Sequence, residues 1–151
     1  MHATNAVTVR AITAPETRPL RQRILRPNFP PETLHYPGDD EVDGLHAGAF
    51  LEGELVGIAS VRREASPHSA WPADWRLRGM AVDPKAQRRG CGRALLEACF
   101  VHIAAHGGTK LWCNARTSAL PFYQALGFQA EGDEFETPGT GPHYFMWRSI
   151  A

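Results

Sequence analysis

The stretch best equipped for chemistry is Gln87-Arg88-Arg89-Gly90-Cys91-Gly92. Its glycines let a backbone approach a ligand closely, and its arginines carry positive charge. Leu95, Leu96, Cys99, Phe100 and Ile103 then recur at helical spacing. A helix that opens from such a loop aims its first N–H groups at an anion. Ahead of the loop, Trp75 to Asp83 reads as a strand, stopped by Pro84, which cannot donate to a sheet ladder. Strand, loop and helix together point to a diphosphate. No Lys-Ser/Thr pair follows the glycines, so this is not a P-loop. Leu95 occupies the position where a dinucleotide fingerprint carries its third glycine.

Three more residue types invite a chemical reading. Cys91 falls at a helix N-terminus, where thiol pKa values drop and nucleophiles arise. Tyr123 sits on an amphipathic helix, where a core aromatic and a phenol facing a ligand look alike. His143 opens a strand beside a glycine-rich loop, as a surface, fold-stabilising or active-site imidazole. The other histidines form neither an HExxH nor a Cys/His cluster, so no metal site is expected.

The 151 residues suffice for a single domain, residues 1–151, with a real core. Formal net charge is +0 and the isoelectric point about 7.1, which argues against non-specific nucleic-acid binding and a polybasic membrane surface. Met1 to Arg10 lacks the apolar run of a leader, and no apolar stretch is long enough to span a bilayer. Cys91, Cys99 and Cys113 are an odd set without paired spacing, as expected of reduced thiols in the cytoplasm.

The elements that would position these residues follow from local patterning. Ala6 to Ile12 alternates as a first strand. Thr17 to Arg26 reads as a short basic helix with Pro19 in its first turn and Leu20, Ile24 and Leu25 inward. Arg26 to Asp43, rich in proline and acid, is either a solvated loop or a functional wall over the substrate. Its run Gly38-Asp39-Asp40-Glu41 would suit a cationic amine. Leu45 to Leu51 and Leu55 to Arg63 form a hairpin through Glu52-Gly53-Glu54. Gly48, Gly57 and Ala59 are placed on its inner face, where a backbone or ligand could come close. After the Trp75–Asp83 strand and the helix ending at Gly107-Gly108, Lys110 to Ala115 is a strand. Thr117 or Ser118 caps a helix with Pro121 in its first turn and Gly127 as its stop. Phe128 to Phe135 and His143 to Ser149 complete the set. The order β-α-β-β-β-α-β-α-β-β implies an α/β (α+β) architecture, one mixed sheet covered on both faces.

Two ordered motifs resemble the GNAT superfamily of acyl-CoA-dependent N-acyltransferases. One is Gln87-Arg88-Arg89-Gly90-Cys91-Gly92 behind Met80-Ala81-Val82-Asp83-Pro84. The other runs from Leu111 to Phe128, with Asn114 closing a strand, Phe122-Tyr123 on a helix and Leu126-Gly127-Phe128 ending it. Together they cover about half the chain, and the ending His143-Tyr144-Phe145-Met146 resembles a His-x-x-Met final strand of many bacterial members.

The resemblance implies a mostly antiparallel sheet of about seven strands whose fourth and fifth strands splay apart. It implies acetyl-CoA as co-substrate, no metal, and a small-molecule or peptide amine as acceptor, with a homodimer left open. Met80, Ala81 and Val82 would pair with the pantetheine arm, and one of their N–H groups would polarise the thioester carbonyl. Gln87, Arg88, Arg89, Gly90, Cys91, Gly92 and Arg93 would hold the diphosphate, and Asn114 would bond the pantetheine. Tyr123 would protonate the departing thiolate. The family admits small residues of several types at Cys91, which argues against a cysteine nucleophile. Histone-type members carry a carboxylate early on the fourth strand, where this chain has Arg76-Leu77-Arg78. The base is therefore among His143, His46, Glu52 and a water chain. An alternative is a non-catalytic acyl-CoA-binding sensor, which absence of Tyr123 and Asn114 would have favoured.

Overall fold

A computed structural model describes residues 6–150. The first five residues, part of the Met1–Arg10 stretch read above as lacking a leader, and Ala151 lie outside the described residues. Seven strands form one sheet in the order β1-β2-β3-β4-β5-β7-β6: β1 (Thr8–Ala11), β2 (Leu45–Leu51), β3 (Glu54–Arg63), β4 (Trp75–Val82), β5 (Lys110–Arg116), β6 (Gln129–Thr137) and β7 (Gly141–Ser149). Every pairing is antiparallel except β4 with β5. This is the mixed sheet the element order implied.

Helices α2 (Cys91–Ala105) and α3 (Leu120–Ala125) pack on one face. There Leu95, Leu96, Cys99 and Ile103 meet Ala47, Ala49, Val56, Ala59 and Leu77, with Tyr123, Leu126 and Phe128 joining the same core. A smaller core on the opposite face joins Ile12 and Leu20 to Ile58 and Ala81, with Ile24 and Leu25 against it. The hairpin turn takes positive φ at Glu52 (48°) and Gly53 (82°), the type I′ geometry that matches strand twist.

The first helix, α1 (Ala14–Leu20), starts three residues earlier than its periodicity indicated. Thr13 caps it: its Oγ1 accepts from the Glu16 N–H, while Glu16 Oε1 accepts from the Thr13 N–H at 2.7 Å. Pro15, not Pro19, therefore occupies the first turn. Pro19 lies inside the helix without an N–H to donate, and Arg21–Leu25 wind on as a wider π turn, closed by Arg26 N–H on the Arg21 carbonyl at 3.0 Å. Neither Thr117 nor Ser118 caps α3; a 3-10 turn (Thr117–Ala119) leads into it, and the Thr117 hydroxyl bonds Glu134.

The glycines of the hairpin do not share a face. Gly48 pairs with Ile58, and a Cβ on it would meet Ile12 and Leu55, on the α1 side. Gly57 and Ala59 turn to α2, where a Cβ on Gly57 would lie 3.1 Å from Leu95. Gly57 thus makes room for α2, and Gly48 for the side chains of Ile12 and Leu55.

Candidate active site

β4 and β5 are parallel neighbours for two residue pairs only, Trp75 with Leu111 and Arg76 with Trp112. Beyond Arg76 the strands part, although β4 stays paired to β3 through Val82 and β5 to β7 through Arg116. A bulge drives β4 aside. Its register with β3 slips between Ile58 and Ser60, and Gly79 takes φ +67° there. Glycine is favoured there by its backbone, and a side chain would also crowd Arg21. The φ is left-handed, and a Cβ would come within 3.2 Å of Arg21 Nε and 3.4 Å of the Tyr36 ring.

The parting leaves a cleft of about 220 Å³ in the middle of the sheet. Met80 and Gly79 line one side, Asn114 and Ala115 the other, with Tyr123 and His143 also on its walls. Asn114 is exposed although its strand is internal to the sheet, because no strand covers it there. Ala81 and Val82 complete the unpaired edge of β4; Ala81 turns its side chain into the α1-side core.

Tyr123 lies 6% exposed on α3, ring edge-on to Phe122 and Phe128. Burial, aided by the neighbouring Cys113 and Cys99 sulfurs, pushes its phenol well above the ordinary tyrosine value. The group is a protonated donor at any working pH. His143 is 7% exposed and stacks on Phe135 at 5.9 Å. Its Nδ1 donates to the Gly141 carbonyl at 2.8 Å, which leaves Nε2 as the acceptor.

The other two residues weighed as bases stand elsewhere. Both His46 nitrogens are engaged, Nε2 with the Asp39 carbonyl at 2.8 Å and Nδ1 with Ser60 Oγ at 2.7 Å. Glu52 is exposed in the β2–β3 turn. Neither lines the cleft.

The Gln87–Gly92 loop sits at the start of α2. Gln87, Arg88, Arg89 and Gly90 are exposed, and the first turn holds no acidic residue. Gly90 is the N-cap with φ +83°, and it offers no side chain to the free N–H groups of the first turn. Those N–H groups remain available to an anion. Gly92 forms a shallow cradle: a Cβ there would lie 2.8 Å from Phe122 and 3.3 Å from Met80. Arg93 is exposed and pairs weakly with Glu97 at 3.9 Å. A diphosphate continued by an extended arm toward Met80 fits this set of free donors and missing side chains.

Cys91 turns its thiol into the core, toward the Ala86 carbonyl at 3.8 Å. Burial raises its pKa against the pull of Arg89, so it stays a thiol and offers the loop only its backbone. Cys99 and Cys113 are pushed up to about 12 by burial. Among the described residues no group of three or more His, Cys, Asp or Glu could hold a metal ion.

Residues 40–143 match the family model described as an acetyltransferase (GNAT) domain. The chain belongs to the GNAT acetyltransferase family. It is 32% identical over 142 residues to a Bacillus subtilis protein named uncharacterized N-acetyltransferase YitI, covering 94% of this chain and 95% of that one. A shorter segment of 55 residues is 44% identical to the ribosomal protein bS18 alanine N-acetyltransferase of Escherichia coli, 34% of this chain and 37% of that one. The crystal structure of the Escherichia coli ribosomal-protein-S18-alanine N-acetyltransferase superposes with a TM-score of 0.71 over 97% of this chain and 95% of the other, at 22% identity, a likeness of fold. In this GNAT member the fourth and fifth strands stay paired for two residue pairs and then part.

Sequence reasoning missed the basic wall of the GNAT cleft. Arg26, Arg76, Arg78 and Arg116 all line it, and among the described residues no carboxylate does. The available signal was the alternation of Arg76 and Arg78 on one strand, which puts both on the face opposite Trp75 and Leu77. The acidic run does not offset them. Asp39 is buried against Arg21, Asp40 pairs with His35 and Glu41 with Arg62.

Proposed function

We propose that this acetyltransferase moves an acetyl group from acetyl-CoA to a primary amine by direct attack of the amine on the thioester. The observation that carries the reading is the parting of β4 and β5 after Arg76, with Tyr123 and His143 on the walls of the opening. Acetyl-CoA would supply the activated acyl group. The α2 N-terminus with Arg88 and Arg89 holds its diphosphate, and the free edge of β4 from Met80 to Val82 and Asn114 on β5 align the pantetheine arm. A backbone N–H on that edge stabilises the oxyanion that develops on the thioester carbonyl. Tyr123 gives its proton to the leaving sulfur; its raised pKa keeps the phenol protonated until that transfer. His143 Nε2 takes a proton from the amine, directly or through a water.

The test is thiol release from acetyl-CoA over a panel of amines, with products read by mass spectrometry. The panel includes a peptide with N-terminal alanine, the acceptor named for the Escherichia coli relative. Acetylated product on any amine, formed more slowly by Tyr123→Phe, is the expected result. Tight CoA binding without thiol release on the whole panel would leave a binding module instead.

A further inference from the structure

Tyr36 is the hub of an unusual concentration of charge. Three guanidinium groups approach its ring, Arg21 at 3.9 Å, Arg78 at 4.3 Å and Arg26 at 5.3 Å from the centroid. Only Arg21 has a carboxylate: its Nη1 and Nη2 donate to the two oxygens of Asp39 at 2.7 and 3.1 Å. Nη1 also donates to the Leu34 carbonyl and Nη2 to Ser60. That buried fork pins the Arg26–Asp43 connection to the sheet and fixes where Tyr36 stands. Arg26 and Arg78 are half-buried, line the cleft, and have no hydrogen-bonded or ionic side-chain partner among the described residues. Arg78 is strained electrostatically: burial, then Arg76, lowers its pKa to about 10. Half-buried cations left without anions are costly unless a ligand completes them.

These arginines are not placed to serve the diphosphate. The Gln87–Gly92 loop belongs to the face covered by α2, whereas Tyr36, Arg26 and Arg78 come from the face covered by α1. The two sets meet only through the gap between β4 and β5. We propose that the acceptor is a small amine carrying an oxyanion group, a carboxylate or a phosphate, which Arg26 and Arg78 grip from the α1 side while the amine points through the gap toward Met80, Tyr123 and His143. This rests on the acetyltransferase reading above. It departs from the expectation of a cationic amine, since among the described residues no carboxylate lines the cleft to pair with an additional ammonium. A forked guanidinium pair suits planar or tetrahedral oxyanions. The same positive field favours the neutral, nucleophilic form of the amine.

The experiment uses matched acceptors that differ by one group: phenylalanine against phenethylamine, phosphoethanolamine against ethanolamine, and spermidine as the polycation. With saturating acetyl-CoA, kcat/KM for an anionic member should exceed that of its partner by at least about tenfold, the usual worth of a charge-assisted bond. Whichever pair shows the larger ratio names the oxyanion. Arg78→Gln and Arg26→Gln should each collapse that ratio, and Arg78→Lys should restore part of it. Arg26 comes from a different segment than Arg78, so its variant still tests the proposal if Arg78→Gln fails to fold. Calorimetry without acetyl-CoA provides a second readout: the anionic compound binds and its partner gives no heat. Ratios near one, or spermidine as the best acceptor, would overturn the proposal. Acetylation of none of the compounds would count against the transferase reading, and the calorimetry would still decide the anion site, because no heat from either anionic compound overturns it.

Discussion

The Nδ1 atom of His143 lies 2.8 Å from the carbonyl oxygen of Gly141, a contact that places the ring proton on Nδ1 and leaves Nε2 free at the wall of the cleft. His143→Gln should lower kcat by roughly a hundredfold and barely change acetyl-CoA affinity, because Nε2 is the atom that would take the amine proton. An unchanged kcat would reduce His143 to a packing residue against Phe135.

Tyr123→Phe should lower kcat by roughly ten- to a thousandfold and barely change acetyl-CoA affinity, since the ring still packs on Phe122 and Phe128 and only the proton donor is lost. The raised pKa gives this a sign. The phenol remains protonated through pH 10, so ionisation of Tyr123 should produce no alkaline fall in kcat below that pH. Steady-state kinetics between pH 6 and about pH 10 measures both.

The diphosphate loop can be struck without unfolding the chain. Arg89 is exposed, so Arg89→Glu should change stability by less than about 0.5 kcal/mol. It should weaken acetyl-CoA by roughly tenfold or more. Gly92→Glu should abolish binding. Its Cβ would press on Phe122, whose ring is 36% exposed and can turn aside. Undiminished CoA affinity in folded Gly92→Glu would show that the loop is not the site.

The Arg21–Asp39 fork predicts the acid stability of the protein. Burial raises the Asp39 pKa, but the hydrogen bonds from Arg21 and the Tyr36 N–H, with the charges of Arg21 and His46, outweigh it and hold the carboxyl below its ordinary 3.8. A folded-state pKa below the unfolded one stabilises at pH above the unfolded value, and that gain is lost as pH falls through the folded value. Thermal melts should therefore hold this contribution from neutral pH to about pH 4 and lose it below. Asp39→Ala, which strands Arg21 at 0% exposure, should cost about 3–5 kcal/mol at pH 7. A melt unchanged by that substitution would show that the Arg21–Asp39 pair adds no net stability.

Read alone, the sequence determined the element order, the hairpin, the α2 loop with its glycines, and the family, because each rests on short-range signals. Turn residues, caps and periodicity act within a few positions, and the Gln87–Gly92 and Asn114–Tyr123 motifs are each contiguous. Where a local signal was doubled it misled: Pro15 and Pro19 both suit a first turn, and only the Thr13–Glu16 capping box separates them. The tertiary structure alone decided what depends on pairing between distant segments. The bulge at Gly79 breaks the β3–β4 register where β4 leaves β5. Burial of Arg21 on Asp39 removes the acidic run from the cleft, and the neighbours of His46 and His143 separate a structural imidazole from one with a free nitrogen. Burial and pairing at Asp39 and His46 are set by Arg21 and Ser60, residues distant in the chain, and no local pattern encodes those contacts.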